Sequence, residues 1–170
     1  MFTNVCPLLK YLIIMKKLIL SIIICFSTII IATAQDYSTG IGLRGGLFYG
    51  LTVKHFLDGK AAIEGLLSTR WSGLEITGLY EIHNQIPDVE RLNWYFGGGA
   101  HMGFYNGKNA TWGETGTNYT NIGIDGILGL EYNFKEAPLN LSIDWKPAIN
   151  IIGYSGFWGD NGALSIRYVF

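Results

Sequence analysis

Beyond residue 35 the sequence contains no cysteine, because its two, Cys6 and Cys25, both lie earlier. That stretch therefore forms no disulfide and holds no Cys-x-x-Cys metal or redox motif. Proline is scarce, with four in 170 residues, and charged residues make up only 15% of the chain. A net charge of −1 supplies no basic surface for nucleic acid. No segment after residue 36 keeps a 3.6-residue apolar period through three turns, so amphipathic helices are not expected. What is present is apolar: 49% of residues are hydrophobic and 14% aromatic, which excludes intrinsic disorder. The first 35 residues carry Lys10, Lys16 and Lys17 but no acid and no glycine. Residues 36–170 hold all 23 glycines and nine bases against thirteen acids, a net of −4. Two such compositions suit two different solvents.

The first 35 residues read as a cleavable secretory signal peptide. Lys16-Lys17 precede an apolar run from Leu18 to Ile31, and Ala32-Thr33-Ala34 supplies the small-residue cleavage pattern. The run is too short for a spanning helix, which needs about 20 apolar residues. Met15, directly before the lysine pair, is the expected true start. Three isoleucines before Cys25 do not make a lipidation motif. The expected organisation is a signal peptide over 1–35 and one domain over 36–170.

In that domain period-2 alternation recurs eight times. Leu164, Ile166, Tyr168 and Phe170 share one face of the last segment, against Ser165 and Arg167. Leu139, Leu141, Ile143 and Trp145 oppose Asn140, Ser142, Asp144 and Lys146. The same pattern runs through 120–135, 92–105, 73–83 and 61–71, and two shorter segments cover about 38–47 and 50–57. Asp58-Gly59, Ser72-Gly73, Pro87-Asp88, Asn106-Gly107 and Ala137-Pro138 mark turns between them. The longest connections fall at about 106–119 and 153–161. Pro147 has no place inside a closed sheet and predicts a local bulge or a rim position. The expected fold is all-β: a closed, antiparallel, eight-stranded transmembrane barrel in an up-and-down meander.

Alternation does not say which face is outside, but the charges favour an inverted arrangement. The polar faces carry both signs, with Arg44, Arg70, Lys146 and Arg167 against Glu64, Glu75, Glu81, Asp125, Glu131 and Asp144. Lys54 falls on a polar face as well. Eight strands leave an interior that side chains fill, so these groups are expected to plug the lumen as a salt-bridged network. Aromatics near strand ends, such as Trp71, Trp94, Tyr132 and Trp158, fit interfacial girdles.

The final strand, with Phe170 last and Tyr168, Ile166 and Leu164 on its face, resembles the terminal signature of bacterial outer-membrane barrels. The segment from Gly126 to Pro147, with its Lys135-Glu136-Ala137-Pro138 turn, resembles a hairpin of the porin-like outer-membrane β-barrel family. The resemblance implies a Gram-negative outer-membrane location among outer-membrane lipid. It also implies recognition of Leu164, Ile166, Tyr168 and Phe170 by the barrel-assembly machinery.

Chemistry-bearing motifs are few. His55, His83 and His101 lie on three segments without metal-ligand spacing and read as structural polar residues. No His-x-Ser pair is present, and Ser155 has no histidine close in sequence. Gly97-Gly98-Gly99 lacks the helix and Lys-Ser/Thr pair of a phosphate loop and reads as relief of crowding in a curved strand. The candidate surface contacts are loop aromatics Trp112, Tyr119, Phe157 and Trp158. The expectation is a non-enzymatic structural or surface-interaction barrel with no catalytic residue, cofactor, metal or nucleic-acid partner. The alternatives are a narrow channel for ions or small solutes and a soluble periplasmic lipocalin-like barrel for an apolar ligand.

Overall fold

A computed structural model describes residues 37–106, 117–153 and 155–170; residues 1–35, read from the sequence as a signal peptide, and Trp112 lie outside the described residues. Ten ladder segments run in chain order: β1 (Thr39–Gly46), β2 (Tyr49–Phe56), β3 (Ala61–Arg70), β4 (Gly73–Gln85) and β5 (Leu92–Asn106), then β6 (Asn118–Asn133), β7 (Leu139–Trp145), β8 (Ala148–Ile152), β9 (Gly156–Trp158) and β10 (Gly162–Val169). Every pairing is antiparallel, and the β1–β10 and β5–β6 pairings close the ring. The described residues contain no helix.

Ten segments make eight staves. β7 and β8 are one stave: Leu128 faces Trp145 and Asp125 faces Ala148 in a single register along β6. Pro147 stays in that register and accepts a hydrogen bond from the Gly126 N–H at 2.9 Å. Around Pro147 the irregularity falls on the opposite neighbour, while the β6 ladder shifts only farther along, between Ile122 and Gly123. Gly162 faces Trp145 but Trp158 faces Ala148, so Lys146 and Pro147 stand against residues 159–161. One extra residue on one side is a β-bulge, and it divides the last stave into β9 and β10. The expected long connection at 153–161 is therefore corrected: Gly156–Trp158 is strand, and only 153–155 separates β8 from β9.

The alternation has a consistent sense. Ile41, Leu43, Leu51, Val53, Ile63, Leu67, Ile76, Phe96, Ile124, Leu141, Ile143, Leu164 and Ile166 all face outward and are exposed. Arg44, Lys54, Glu64, Glu81, Glu131, Lys146 and Arg167 face inward and are buried. The barrel is inside-out relative to an ordinary globular core.

So narrow a barrel forces neighbouring strands close together where they curve. A Cβ placed on Gly99 would stand 1.9 Å from the Gly78 carbonyl oxygen, and one on Gly97 would stand 2.1 Å from that of Tyr80. Both obstacles are backbone, so neither can swing aside. Gly99→Ala is expected to cost about 1–3 kcal/mol of overpacking strain, read as a lower urea midpoint of the barrel in detergent. An unchanged midpoint would show that the ring flexes enough to admit a methyl group.

Candidate functional site

Nearly all the buried charge lies in the lumen, in two groups. The first is nearer the end that carries Tyr37 and Phe170, the terminal end. Lys54 on β2 reaches three carboxylates there: Glu81 at 2.8 Å, and Glu64 and Glu131 at 3.5 Å each. Its Nζ also stands 4.0 Å above the centroid of the Tyr95 ring. Arg167 on β10 pairs with Glu64 across the lumen, and its other nitrogens donate to Thr52 at 3.0 Å, Asn140 at 3.0 Å and Ser142 at 2.8 Å. Arg44 on β1 makes a two-pronged pair with Asp144 on β7, and the Tyr95 hydroxyl donates to that carboxylate at 3.2 Å. His83 places Nε2 3.1 Å from Glu81 and Nδ1 3.2 Å from Glu131.

The second group is nearer the opposite, loop end. Lys146 bridges Asp125 at 2.5 Å and Glu75 at 3.4 Å. His101 contacts Asp125 through Nδ1 at 2.8 Å and Asn150 through Nε2 at 2.7 Å. The Tyr105 hydroxyl donates to Glu75 at 2.9 Å. Burial makes such groups costly unless paired, and each of these carboxylates has a cationic, imidazole or hydroxyl neighbour.

Between the two groups Leu66, Leu79, Tyr95 and Ile127 pack together from β3, β4, β5 and β6. All four are buried inside the wall, where they form an apolar septum. Gly129 makes room for it, since a Cβ there would stand 2.6 Å from the Tyr95 ring. With Arg44 and Asp144 on the far side, side chains occupy the lumen at mid-height.

Both mouths are capped by aromatic rings. At the loop end Trp158 packs on Phe48, Trp71 and Tyr105, with ring centroids 5.9–6.1 Å apart. The Arg70 guanidinium lies 3.9 Å from the Trp71 ring centroid and 5.1 Å from that of Phe48. At the terminal end Tyr37 meets Phe56 edge-on at 5.2 Å, and Phe56 lies 4.8 Å from the His83 ring beneath it.

Of the ten residues expected in the lumen network, Arg44, Glu64, Glu75, Glu81, Asp125, Glu131, Asp144, Lys146 and Arg167 lie in these two groups. Arg70 is the correction. It stands at the rim, where β3 ends, and pairs with the exposed Asp160 at 3.0 Å. That guanidinium holds the Asp160 carboxyl below its usual range. Lys54, expected only as one more charge on a polar face, is the network's most connected cation. The apolar septum was also not foreseen, although Leu66, Leu79 and Ile127 share the parity of the polar faces.

Among the candidate surface contacts, Phe157 is 66% exposed and Tyr119 is half-buried opposite Tyr105. Trp158 is turned into the loop-end cap, because the bulge makes it part of a strand; Trp71 joins it there. Leu164, Ile166, Tyr168 and Phe170 form one exposed ridge on the closing strand. His55 is exposed and bonds Thr39, apart from the other two histidines. Among the described residues no group of three or more His, Cys, Asp or Glu side chains is arranged so that it could hold a metal ion.

In comparisons with protein-family models, curated proteins and solved structures, nothing matches the chain. The class defined by its own geometry is a closed eight-stranded meander barrel with a charged, filled interior and an apolar exterior.

Proposed function

We propose that the chain is an integral β-barrel of a bacterial outer membrane, non-enzymatic, with a structural or surface-interaction role and a side-chain-plugged lumen. One observation carries this reading: the inversion of polarity across the wall. Exposed aliphatic residues encircle the barrel, while twelve charged or histidine side chains lie buried within it. In water such an exterior is an aggregation hazard. In lipid it is the ordinary outer face of a spanning strand, and ring closure satisfies the backbone that lipid cannot. Exposed aromatic pairs add support: Trp94 with Phe96, Tyr132 with Phe134 and Tyr168 with Phe170 fit a girdle at the terminal end. The signal-peptide pattern and the terminal-strand resemblance belong to the same proposal.

Fractionation of expressing cells tests it. The protein is expected in the outer-membrane fraction, with gel mobility that changes on boiling as the barrel unfolds. Recovery from the soluble periplasm would overturn the membrane reading in favour of a soluble ligand-binding barrel. Steady conductance at neutral pH would replace the plug with a narrow channel.

A further inference from the structure

The buried charges do not balance without the histidines. Among the described residues the lumen buries six carboxylates, Glu64, Glu75, Glu81, Asp125, Glu131 and Asp144, against four Lys and Arg cations, Arg44, Lys54, Lys146 and Arg167. Each group is short by one positive charge. The terminal-end group sets Arg44, Lys54 and Arg167 against Glu64, Glu81, Glu131 and Asp144; the loop-end group sets Lys146 against Glu75 and Asp125. Each group also contains one buried histidine.

The contacts of those rings match the deficit. His83 on β4 presents one nitrogen to Glu81 on its own strand and the other to Glu131 on β6. A ring with one proton would turn a nitrogen lone pair toward a carboxylate oxygen; a ring with two presents an N–H at ion-pair distance to each carboxylate. The other groups around it are Lys54 on β2, which shares both carboxylates, Tyr95 on β5 and Phe56 on β2 against its faces, and Tyr37, whose hydroxyl faces Glu131. His101 on β5 likewise faces Asp125 on β6 and the Asn150 side-chain oxygen on β8. Lys146 shares Asp125, and Glu75 on β4 with Tyr105 on β5 completes its surroundings.

We propose that His83 and His101 are the balancing cations of the plug, each carrying two ring protons, and that losing those protons unlocks the lumen to small cations. This rests on the membrane-barrel reading. With both imidazolium rings in place the described buried charge sums to zero. Without them it is −2 in a low-dielectric interior, where uncompensated charge is relieved by admitting counter-ions. The plug is therefore firm at low pH and loosens as pH rises and the protons leave.

The test uses the folded full-length barrel. In detergent micelles at about pH 6, below the ordinary histidine midpoint of about 6.5, nitrogen NMR is expected to show His83 and His101 as imidazolium rings. In planar bilayers the wild type is expected to be silent at that pH and to show cation-selective openings at alkaline pH. His83→Gln is expected to open at the acidic pH at least roughly tenfold more often than the wild-type background, and His83→Gln with Glu131→Gln to fall back to that background because the charge is rebalanced. Neutral rings in the acidic spectrum overturn the proposal, as does pH-independent conductance. A double variant as leaky as the single one also overturns it, since packing rather than charge would then be responsible. A protein that never enters the bilayer and shows no heat-dependent mobility overturns the membrane reading instead.

Discussion

Arg167→Ala is expected to destabilise the barrel by about 3–5 kcal/mol, the cost of breaking a buried ion pair from one side. The guanidinium is fully buried and touches Glu64, Thr52, Asn140 and Ser142, so its removal leaves Glu64 with Lys54 at 3.5 Å as its cation and takes a donor from three polar side chains. Urea unfolding in detergent measures the loss as a lower midpoint. Exchanging both partners for apolar residues of similar size, Arg167→Met with Glu64→Leu, is expected to restore most of it, because no charge is then left buried alone. A single variant with the wild-type midpoint would mean that water reaches Glu64 and that the lumen is not plugged at this depth.

Lys54→Met removes the cation shared by three acids while keeping a long side chain over Tyr95. The loss is again expected to reach about 3–5 kcal/mol at about pH 7. It differs from the arginine case in its dependence on acid. Glu64, Glu81 and Glu131 repel one another once Lys54 is gone, and protonating them removes that repulsion. The gap between variant and wild type is therefore expected to narrow as pH falls toward about 4, the ordinary range of glutamate. Urea midpoints at the two pH values check it; a gap that stays constant would assign the loss to packing against Tyr95 instead.

These two residues also show what the sequence could reveal. Period-2 alternation marks the strands and puts Lys54 and Arg167 on their polar faces, and the compensating charges of those faces are what turn them inward. Alternation gives parity, though, and not depth along the barrel. Arg70 has inward parity yet lies at the rim because β3 ends there. Lys54 becomes a hub only because Glu81 and Glu131, on strands two and four positions away, are at its height. Partners across a lumen are set by strand stagger, which no local pattern encodes. Leu66, Leu79 and Ile127 could have been noticed as apolar residues out of phase with their strands; their meeting at one height could not. Trp158 was misplaced for another reason: one extra residue in the last stave converts an expected loop into strand.

The seam between β1 and β10 constrains how the molecule is made. Gly40 pairs with Val169, so the first and last staves meet only after the whole domain is available. The ion pairs obey the same order, since Arg44 needs Asp144 and Glu64 needs Arg167, partners 100 and 103 residues apart. An open sheet of seven staves would present its carboxylates and lysines to whatever medium held it, and in hydrocarbon that is prohibitive. Assembly thus has a late, all-or-nothing step in which ring closure, charge neutralisation and burial of the polar face coincide. Topology of this long range is intrinsically slow, and, on the proposed membrane reading, a catalyst that holds the two edges apart from lipid until they join would act at this seam.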